Sequence, residues 1–225
     1  MTIRILIVDD HPAVREGLAV RIAGQKDMEV CGEAEGIVKA LELFHSTRPD
    51  VVVVDIQLKK GDGLDLVKRI KARDNLAQVL VWSMYPDKLY AKRALNAGAL
   101  GYINKACSTA RIVEAIRRVR EGKVYLSEEM AELLLRHAVG GAESVKLSPV
   151  ETLSDRELEV FRLIGQGLSP VQLAAELHLS RHTIDTHKQR IKEKLGLETA
   201  FELTQAAVRW VIEDKCGERN ETISP

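Results

Sequence analysis

Short runs of apolar residues, each followed at once by a polar side chain, constrain the fold of this chain most. Val51–Val54 is apolar at every position and is followed by Asp55. A continuous run of this kind predicts a strand buried on both faces, which is typical of parallel sheets covered by helices. Similar runs precede Asp9, Ser83 and Lys105. Because ligands bind at the carboxyl edge of such sheets, we expect these polar side chains to converge there.

Strand-like and helix-like segments alternate over residues 1–122. The predicted strands cover residues 3–8, 28–34, 51–55, 79–83 and 101–103. A helical stretch follows each strand, and Gly61-Asp62-Gly63 predicts a turn before the third helix. Five such repeats predict an α/β fold of the flavodoxin-like class, a five-stranded parallel doubly wound sheet.

The remainder of the chain has a helical pattern only. We predict a linker over residues 123–150 that contains a helix at about 127–138 and the loop-forming Gly140-Gly141. An all-α domain of four helices is predicted over residues 151–215, with the last helix ending near Glu213, and residues 216–225 form a C-terminal tail. Two of its helices, joined at His178-Leu179, predict a helix-turn-helix.

Composition excludes several classes of protein. The content of 45% apolar and 29% charged residues is typical of a globular protein. The sequence has neither an apolar run near the roughly 20 residues of a membrane span nor a signal-peptide pattern, so we expect a cytoplasmic protein with no membrane partner. The three cysteines are widely spaced and predict reduced thiols. Because the formal net charge is zero, any surface that binds nucleic acid must be local.

The polar residues at the strand ends form a recognisable set. In chain order they are Asp9, Asp10, Asp55, Ser83, Tyr102 and Lys105. This order, with each residue at a predicted strand end, resembles the receiver domain of two-component systems over about 120 residues. The resemblance implies that Asp55 accepts a phosphoryl group from a phosphohistidine on a sensor histidine kinase. A carboxylate is a competent nucleophile for that transfer.

The same resemblance implies roles for the neighbours of Asp55. It implies Mg²⁺ bound directly by Asp10 and Asp55, through water by Asp9, and by the backbone carbonyl of Gln57. Clustered carboxylates repel one another unless a cation lies among them, and Mg²⁺ is the usual cation beside phosphates. Lys105 would pair with the phosphoryl oxygens. The other two residues, Ser83 and Tyr102, would respond to the phosphoryl group, the first by a hydrogen bond and the second by turning inward.

Each of these residues has a simpler explanation when it is taken alone. The Asp9-Asp10 pair could cap a helix, and Asp55 could be a solvated strand end. For His11, a surface position at a helix start is favoured over a metal ligand. The loop after Asp55 departs from the family because Lys59 replaces the usual proline and, with Lys60, adds positive charge. Next to Ser83, Met84 replaces a small residue, and we expect it to hinder water and prolong the phosphorylated state.

The C-terminal domain carries a second family motif. It reads Leu153-Ser154-x-Arg156-Glu157 and continues through Leu179-Ser180-x-x-Thr183-Ile184 to Lys194-Leu195-Gly196. This motif resembles the DNA-binding output domain of NarL/LuxR-type regulators. By resemblance, Asp185, Thr186 and Gln189 occupy the base-reading positions. Cations that could contact phosphates surround them: Arg181, Lys188, Arg190 and Lys192.

Helical spacing predicts which residues of this domain are buried. Ile184, His187, Ile191 and Leu195 recur on one stripe, so we expect them to face the core. The domain is acidic outside the third helix, and affinity would therefore depend on two copies at paired half-sites of double-stranded DNA. The last helix carries an apolar stripe that is either a homodimer face or part of the domain core.

Together these features predict a phosphorylation-dependent transcriptional regulator that is not an enzyme and forms a homodimer when phosphorylated. One alternative is a constitutive DNA-binding protein that uses its receiver only for dimerisation. Another is a phosphohydrolase with an aspartyl nucleophile. It is less favoured because no cap insertion interrupts residues 1–122, so a substrate pocket and an acid–base residue are not accounted for.

Overall fold

The structure is a computed structural model that describes residues 2–58, 61–107, 109–139, 149–177 and 179–220. The chain divides into two compact units, Met1–Ala142 and Glu143–Pro225. Several features of the sequence-based predictions lie outside the described residues: Lys59, Lys60, Gly140-Gly141, His178 and residues 221–225.

The first unit alternates strands and helices. Its main elements are β1 (Ile3–Val8), α1 (Pro12–Ala23), β2 (Met28–Ala34), α2 (Ile37–Thr47), β3 (Val51–Val54), β4 (Gln57–Leu58), β5 (Gly61–Asp62), α3 (Gly63–Arg73), β6 (Gln78–Ser83), α4 (Asp87–Ala97), β7 (Gly101–Asn104), α5 (Thr109–Arg120) and α6 (Glu128–Val139). The main sheet is parallel and five-stranded in the order β2-β1-β3-β6-β7. This confirms the flavodoxin-like prediction.

Burial explains the continuous apolar runs. All four residues of Val51–Val54 are buried, because β3 lies at the centre of the sheet with helices on both faces. On one face, Ile5 and Ile7 of β1 join one apolar cluster with Leu18 of α1 and Ile116 of α5. Helices α2, α3 and α4 contact one another in succession. A strand covered in this way has no face that needs polar residues.

The predicted turn at Gly61-Asp62-Gly63 is wrong in detail. Residues Gly61–Asp62 instead form β5, which pairs antiparallel with β4. The Asp62 side chain accepts a hydrogen bond from the Leu64 amide and caps α3. A Cβ atom on Gly63 would lie 1.9 Å from the backbone oxygen of Asp55, so only glycine lets α3 begin this close to the strand end.

The helix predicted inside the linker is present as α6. Within the first unit α6 contacts α4, and its Met130 side chain is buried. An apolar side chain buried against a neighbouring helix stabilises that contact by the hydrophobic effect. This helix therefore belongs to the first compact unit.

The second unit is all-α within its described residues. A 3₁₀ turn (Pro149–Thr152) precedes α7 (Asp155–Gly165), α8 (Pro170–Glu176), α9 (Arg181–Leu195) and α10 (Ala200–Asn220). The N-caps of α7, α8 and α9 are Ser154, Ser169 and Ser180, and each hydroxyl accepts a hydrogen bond from a backbone amide of the following turn. Gly196 ends α9 in the left-handed conformation that favours glycine.

Helix α10 differs from its prediction in length. It runs to Asn220 rather than ending near Glu213, because residues after the apolar stripe include good helix formers and no proline. Part of its apolar stripe, in addition, is used within the domain. Leu203, Ala207 and Val211 are buried, and α10 packs on α7 closely enough that a Cβ on Gly165 would lie 2.3 Å from the Ala207 oxygen. These three residues are domain core, whereas Ala206 and Trp210 of the same stripe are half-buried.

Across the described ranges, no helix combines the length and the apolar character that crossing a membrane requires.

Candidate functional site

The sheet places the predicted polar residues together at one edge. Hydrogen bonding continues one residue past the strands: the Asp55 amide donates to Val8, and the Lys105 amide donates to Ser83, each at 2.8 Å. Because β1, β3, β6 and β7 are neighbours and parallel, these bonds bring the residues that follow them to the same edge. The predicted convergence therefore occurs.

Lys105 joins the acidic groups directly. Its ammonium Nζ lies 2.5 Å from Asp9 Oδ2 and 2.6 Å from Asp55 Oδ2. The Ser83 hydroxyl donates to the other Asp55 oxygen at 2.7 Å. All of these side chains are nearly inaccessible to solvent, so the charges interact with little screening.

The electrostatics of Asp55 reflect its burial. Removal from water raises the pKa of the Asp55 carboxyl above its usual range, and the Lys105 ammonium and the Ser83 hydroxyl oppose that rise only in part. The neighbouring Asp9 carboxylate adds to the rise. A positive charge beside Asp55 is therefore needed to keep its carboxylate ionised and reactive.

The acidic cluster has the donor set of a divalent cation site. Candidate ligand atoms of Asp9, Asp10, His11 and Asp55 all lie within 4.8 Å of one another. Asp10 Oδ1 is buried and accepts no hydrogen bond within the described part of the chain. The exposed His11 imidazole is 2.8 Å from it and is a charged partner only when protonated. A hard cation would satisfy this orphaned oxygen, because Mg²⁺ and Ca²⁺ prefer carboxylate ligands.

Tyr102 is already buried in this structure. Its hydroxyl donates to the Tyr85 backbone oxygen at 2.7 Å. Burial, with the nearby Asp87 carboxylate, raises the pKa of the Tyr102 phenol well above 10. The inward position predicted for the phosphorylated state is therefore available without a phosphoryl group. Gln57 is half-buried in β4, where its side-chain oxygen accepts from the Tyr85 hydroxyl at 3.1 Å.

Two side chains beside Ser83 complete the surroundings. Met84 directly follows Ser83 and is 62% exposed. Trp82 is half-buried, and its ring centroid is 5.4 Å from the Lys105 ammonium. A cation at this distance is attracted to the ring face. Trp82 is also a natural fluorescent reporter of the pocket.

The second candidate site is the exposed face of α9. Ile184 and Ile191 are buried, and His187 and Leu195 are half-buried, which agrees with the predicted core stripe. The proposed DNA-contacting residues comprise exposed and half-buried ones. Exposed are Arg181, Asp185, Gln189 and Arg190; half-buried are Thr186, Lys188 and Lys192. Removal from water, with the nearby Arg156, lowers the pKa of the His187 imidazole, as expected for a packed histidine.

Several of these side chains already have partners within the helix and its C-terminal turn. The Thr186 hydroxyl donates to the His182 oxygen, and the Gln189 amide donates to Glu193 at 2.9 Å. The Lys192 ammonium is 3.4 Å from the Glu198 oxygen. These bonds are exposed and can be exchanged for contacts to DNA at small cost.

Lys194 does not belong to the exposed cationic face. Its ammonium lies 2.6 Å from Glu157 Oε2, and the Glu157 side chain is buried. From the sequence alone, Glu157 is identified only as part of the family motif. The Ser-x-x-Glu spacing could have predicted its capping box, but not an ion pair with a residue 37 positions away.

Comparisons with known proteins match both domains. The family described as "Response regulator receiver domain" matches residues 5–117, and the family described as "Bacterial regulatory proteins, luxR family" matches residues 151–207. The virulence factors putative positive transcription regulator BvgA of Bordetella pertussis is 33% identical over 208 residues, covering 92% of this chain and 97% of BvgA. The oxygen regulatory protein NreC of Staphylococcus epidermidis is 32% identical over 211 residues, with coverage of 92% and 97%.

Solved structures extend the likeness to the fold. The response regulator ChrA of a heme-sensing two-component system is 32% identical, with coverage of 93% of this chain and 98% of ChrA and a TM-score of 0.51. A structure of two RcsB dimers bound to two parallel DNAs is 25% identical, with coverage of 91% and 97% and a TM-score of 0.56. The chain therefore belongs to the two-component response regulators of the NarL/LuxR type, with a receiver domain and a LuxR-type DNA-binding domain.

Proposed function

We propose that phosphorylation of Asp55 by a sensor histidine kinase controls DNA binding by the second unit. The observation that carries this proposal is the arrangement around Asp55: Lys105 and Ser83 each contact one of its oxygens, and Asp9 and Asp10 lie beside it. A carboxylate held between a cation and a hydroxyl is suited to capture a phosphoryl group.

The chain's own residues account for the transfer. Once Lys105 has left Asp55 Oδ2, that oxygen attacks phosphorus, the P–N bond to the kinase imidazole breaks, and its electron pair returns to the imidazole nitrogen. Lys105 moves from the Asp55 carboxylate to the phosphoryl oxygens, and the Ser83 hydroxyl donates to another of them. Mg²⁺, held by Asp10, Asp55 and the Gln57 carbonyl with Asp9 acting through water, supplies charge neutralisation when bound.

The output step is proposed for α9. Asp185, Thr186 and Gln189 would read base edges, while the cations beside them contact phosphates. These cations are Arg181, Lys188, Arg190 and Lys192. RcsB, a structural relative, has been seen as dimers on DNA, which supports binding of a homodimer to paired half-sites. In this scheme the aspartyl phosphate biases a two-state receiver, and the biased state favours the DNA-bound dimer.

One experiment tests the scheme. Wild type and Asp55→Ala are incubated with Mg²⁺ and a small phosphodonor, and intact mass is measured beside affinity for duplexes selected from a random pool. We expect a single phosphate adduct in wild type, lost in Asp55→Ala, and a change of DNA affinity that accompanies the adduct. Asp65→Ala, which removes an exposed carboxylate on α3, is the matched control and should behave as wild type.

Two results would contradict the proposal in different ways. Unchanged DNA affinity in a fully phosphorylated wild type would indicate a constitutive DNA-binding protein. Continuous release of phosphate over many turnovers would indicate a phosphohydrolase, since a switch retains its phosphoryl group.

A further inference from the structure

Two successive residues in the first turn of α7 bond to the C-terminal ends of the two helix-turn-helix helices. Arg156 Nη2 donates to the backbone oxygen of Leu177, the C-cap of α8, at 2.6 Å. Glu157 Oε2 accepts from Lys194 Nζ, in the last turn of α9, at 2.6 Å. Helix α7 is therefore bonded to α8 just before the turn and to α9 just before its Gly196 cap. We call Arg156 and Glu157 the α7 clamp.

Burial indicates that the charge of Glu157 has a specific role. Among the described residues, the buried charged side chains are Glu157 and four of the phosphoryl site: Asp9, Asp10, Asp55 and Lys105. Burying a charge is unfavourable unless it is paired. The capping box does not require that charge, because Gln172 completes the equivalent capping box of α8 with a neutral side chain. The partner that requires a carboxylate is Lys194.

The position of the contact explains what it can do. Lys194 lies about 13 Å along the helix axis from Asp185, at 1.5 Å per residue. A tilt of α9 at its C-terminal end therefore displaces the side chains proposed to read bases. Arg156 is fixed on its other side by Glu159 Oε2 at 2.6 Å, so the α8 end of the clamp is also rigid. Base readout depends on precise placement, whereas phosphate contacts tolerate small shifts.

We propose that Arg156 and Glu157 are positioning residues that set the angle of α9 for base reading. They act through Leu177 and Lys194 and do not touch DNA. The inference rests on the proposed function, because it assumes that α9 reads DNA.

The test separates positioning from simple stabilisation. Full-length wild type, with Mg²⁺ and phosphodonor, first selects duplexes from a random pool. The affinity ratio between the selected duplex and a scrambled duplex is then measured for Glu157→Gln, Arg156→Met and Lys194→Met, well below their unfolding temperatures. We expect the ratio to fall about tenfold, chiefly through the selected duplex, because discrimination is the property most sensitive to helix placement.

Two further variants make the outcome decisive. Lys194→Arg keeps a cation for Glu157 and should retain the wild-type ratio. Val211→Ala destabilises the same domain from α10 without touching the clamp, and it should also retain the ratio. Clamp variants that lose stability but keep the ratio would overturn the inference. If wild type selects no sequence at all, the proposed DNA reading fails, and the inference fails with it.

Discussion

At the scale of single residues, Lys105 contacts the same carboxylates that a bound cation and a phosphoryl group would contact. Its ammonium contacts Asp9 and Asp55, and all three side chains are buried. In Lys105→Met, these carboxylates face each other without compensation. We expect the unfolding free energy of the first unit, measured by urea denaturation in EDTA, to fall by about 3 kcal/mol. Adding Mg²⁺ should then raise the unfolding free energy of Lys105→Met by more than it raises that of wild type.

A surface pair provides the control for this change. Arg117→Met removes an ion pair with Asp27 in which both side chains are partly exposed. Such pairs contribute less than about 1 kcal/mol, and this one is remote from the acidic cluster. Its response to Mg²⁺ should match that of wild type. If Mg²⁺ stabilised Lys105→Met no more than wild type, the acidic groups would not be the cation site.

Met84 belongs to the same scale. Its exposed side chain directly follows Ser83, whose hydroxyl donates to Asp55. In Met84→Ala, water should reach the aspartyl phosphate more easily, and its half-life should shorten about threefold, a barrier change below 1 kcal/mol. Intact mass after removal of the phosphodonor measures that half-life. Val38→Ala, a change at another exposed apolar residue on α2, should have no effect; an unchanged half-life in Met84→Ala would refute the idea.

Sequence was sufficient where local pattern and sheet register decide the position of a side chain. Asp55, Ser83 and Lys105 converge because each lies at the C-terminal end of a strand that the apolar pattern predicts, and parallel pairing then leaves little freedom. It was insufficient for Glu157 and Lys194. Their contact depends on how α7 packs on α9, and no local pattern records that packing angle.

At the scale of elements, the bond between α7 and α9 predicts a pH dependence. Burial works to raise the pKa of the Glu157 carboxyl, but hydrogen bonds from Lys194 and Ser154 outweigh it and lower that pKa below 4.5. A lowered folded-state pKa means that the stabilisation is complete above the unfolded value and is lost as pH falls through the folded one.

Acid unfolding of the second unit measures this contribution. We expect its stability to decline as pH falls below 4.5, the ordinary value for glutamate. Glu157→Gln should begin less stable at neutral pH and decline less steeply, since glutamine does not titrate. Val211→Ala should lower stability at every pH and keep the wild-type slope. A Glu157→Gln profile parallel to wild type would show that the carboxylate does not provide this pH dependence.

At the scale of the whole molecule, the two compact units have separate cores, and the proposed ligands bind different units. Calorimetry should therefore resolve two unfolding transitions. Mg²⁺ should stabilise only the first unit. At one hundred times its dissociation constant, it should raise the free energy of unfolding of that unit by about 2.7 kcal/mol. Asp10→Asn removes the carboxylate whose buried Oδ1 accepts no hydrogen bond, and this variant should not be stabilised by Mg²⁺.

Phosphorylation should behave differently from Mg²⁺, because a switch must transmit free energy between the units. If the aspartyl phosphate raises DNA affinity by some factor, linkage requires DNA to favour the phosphorylated receiver by the same factor. With phosphodonor and the selected duplex together, the transition of the first unit should rise beyond its value with phosphodonor alone. The same addition to Asp55→Ala should leave that transition unchanged. If the duplex did not change the transition of the first unit in phosphorylated wild type, the two units would not be coupled, and phosphorylation would not regulate DNA binding.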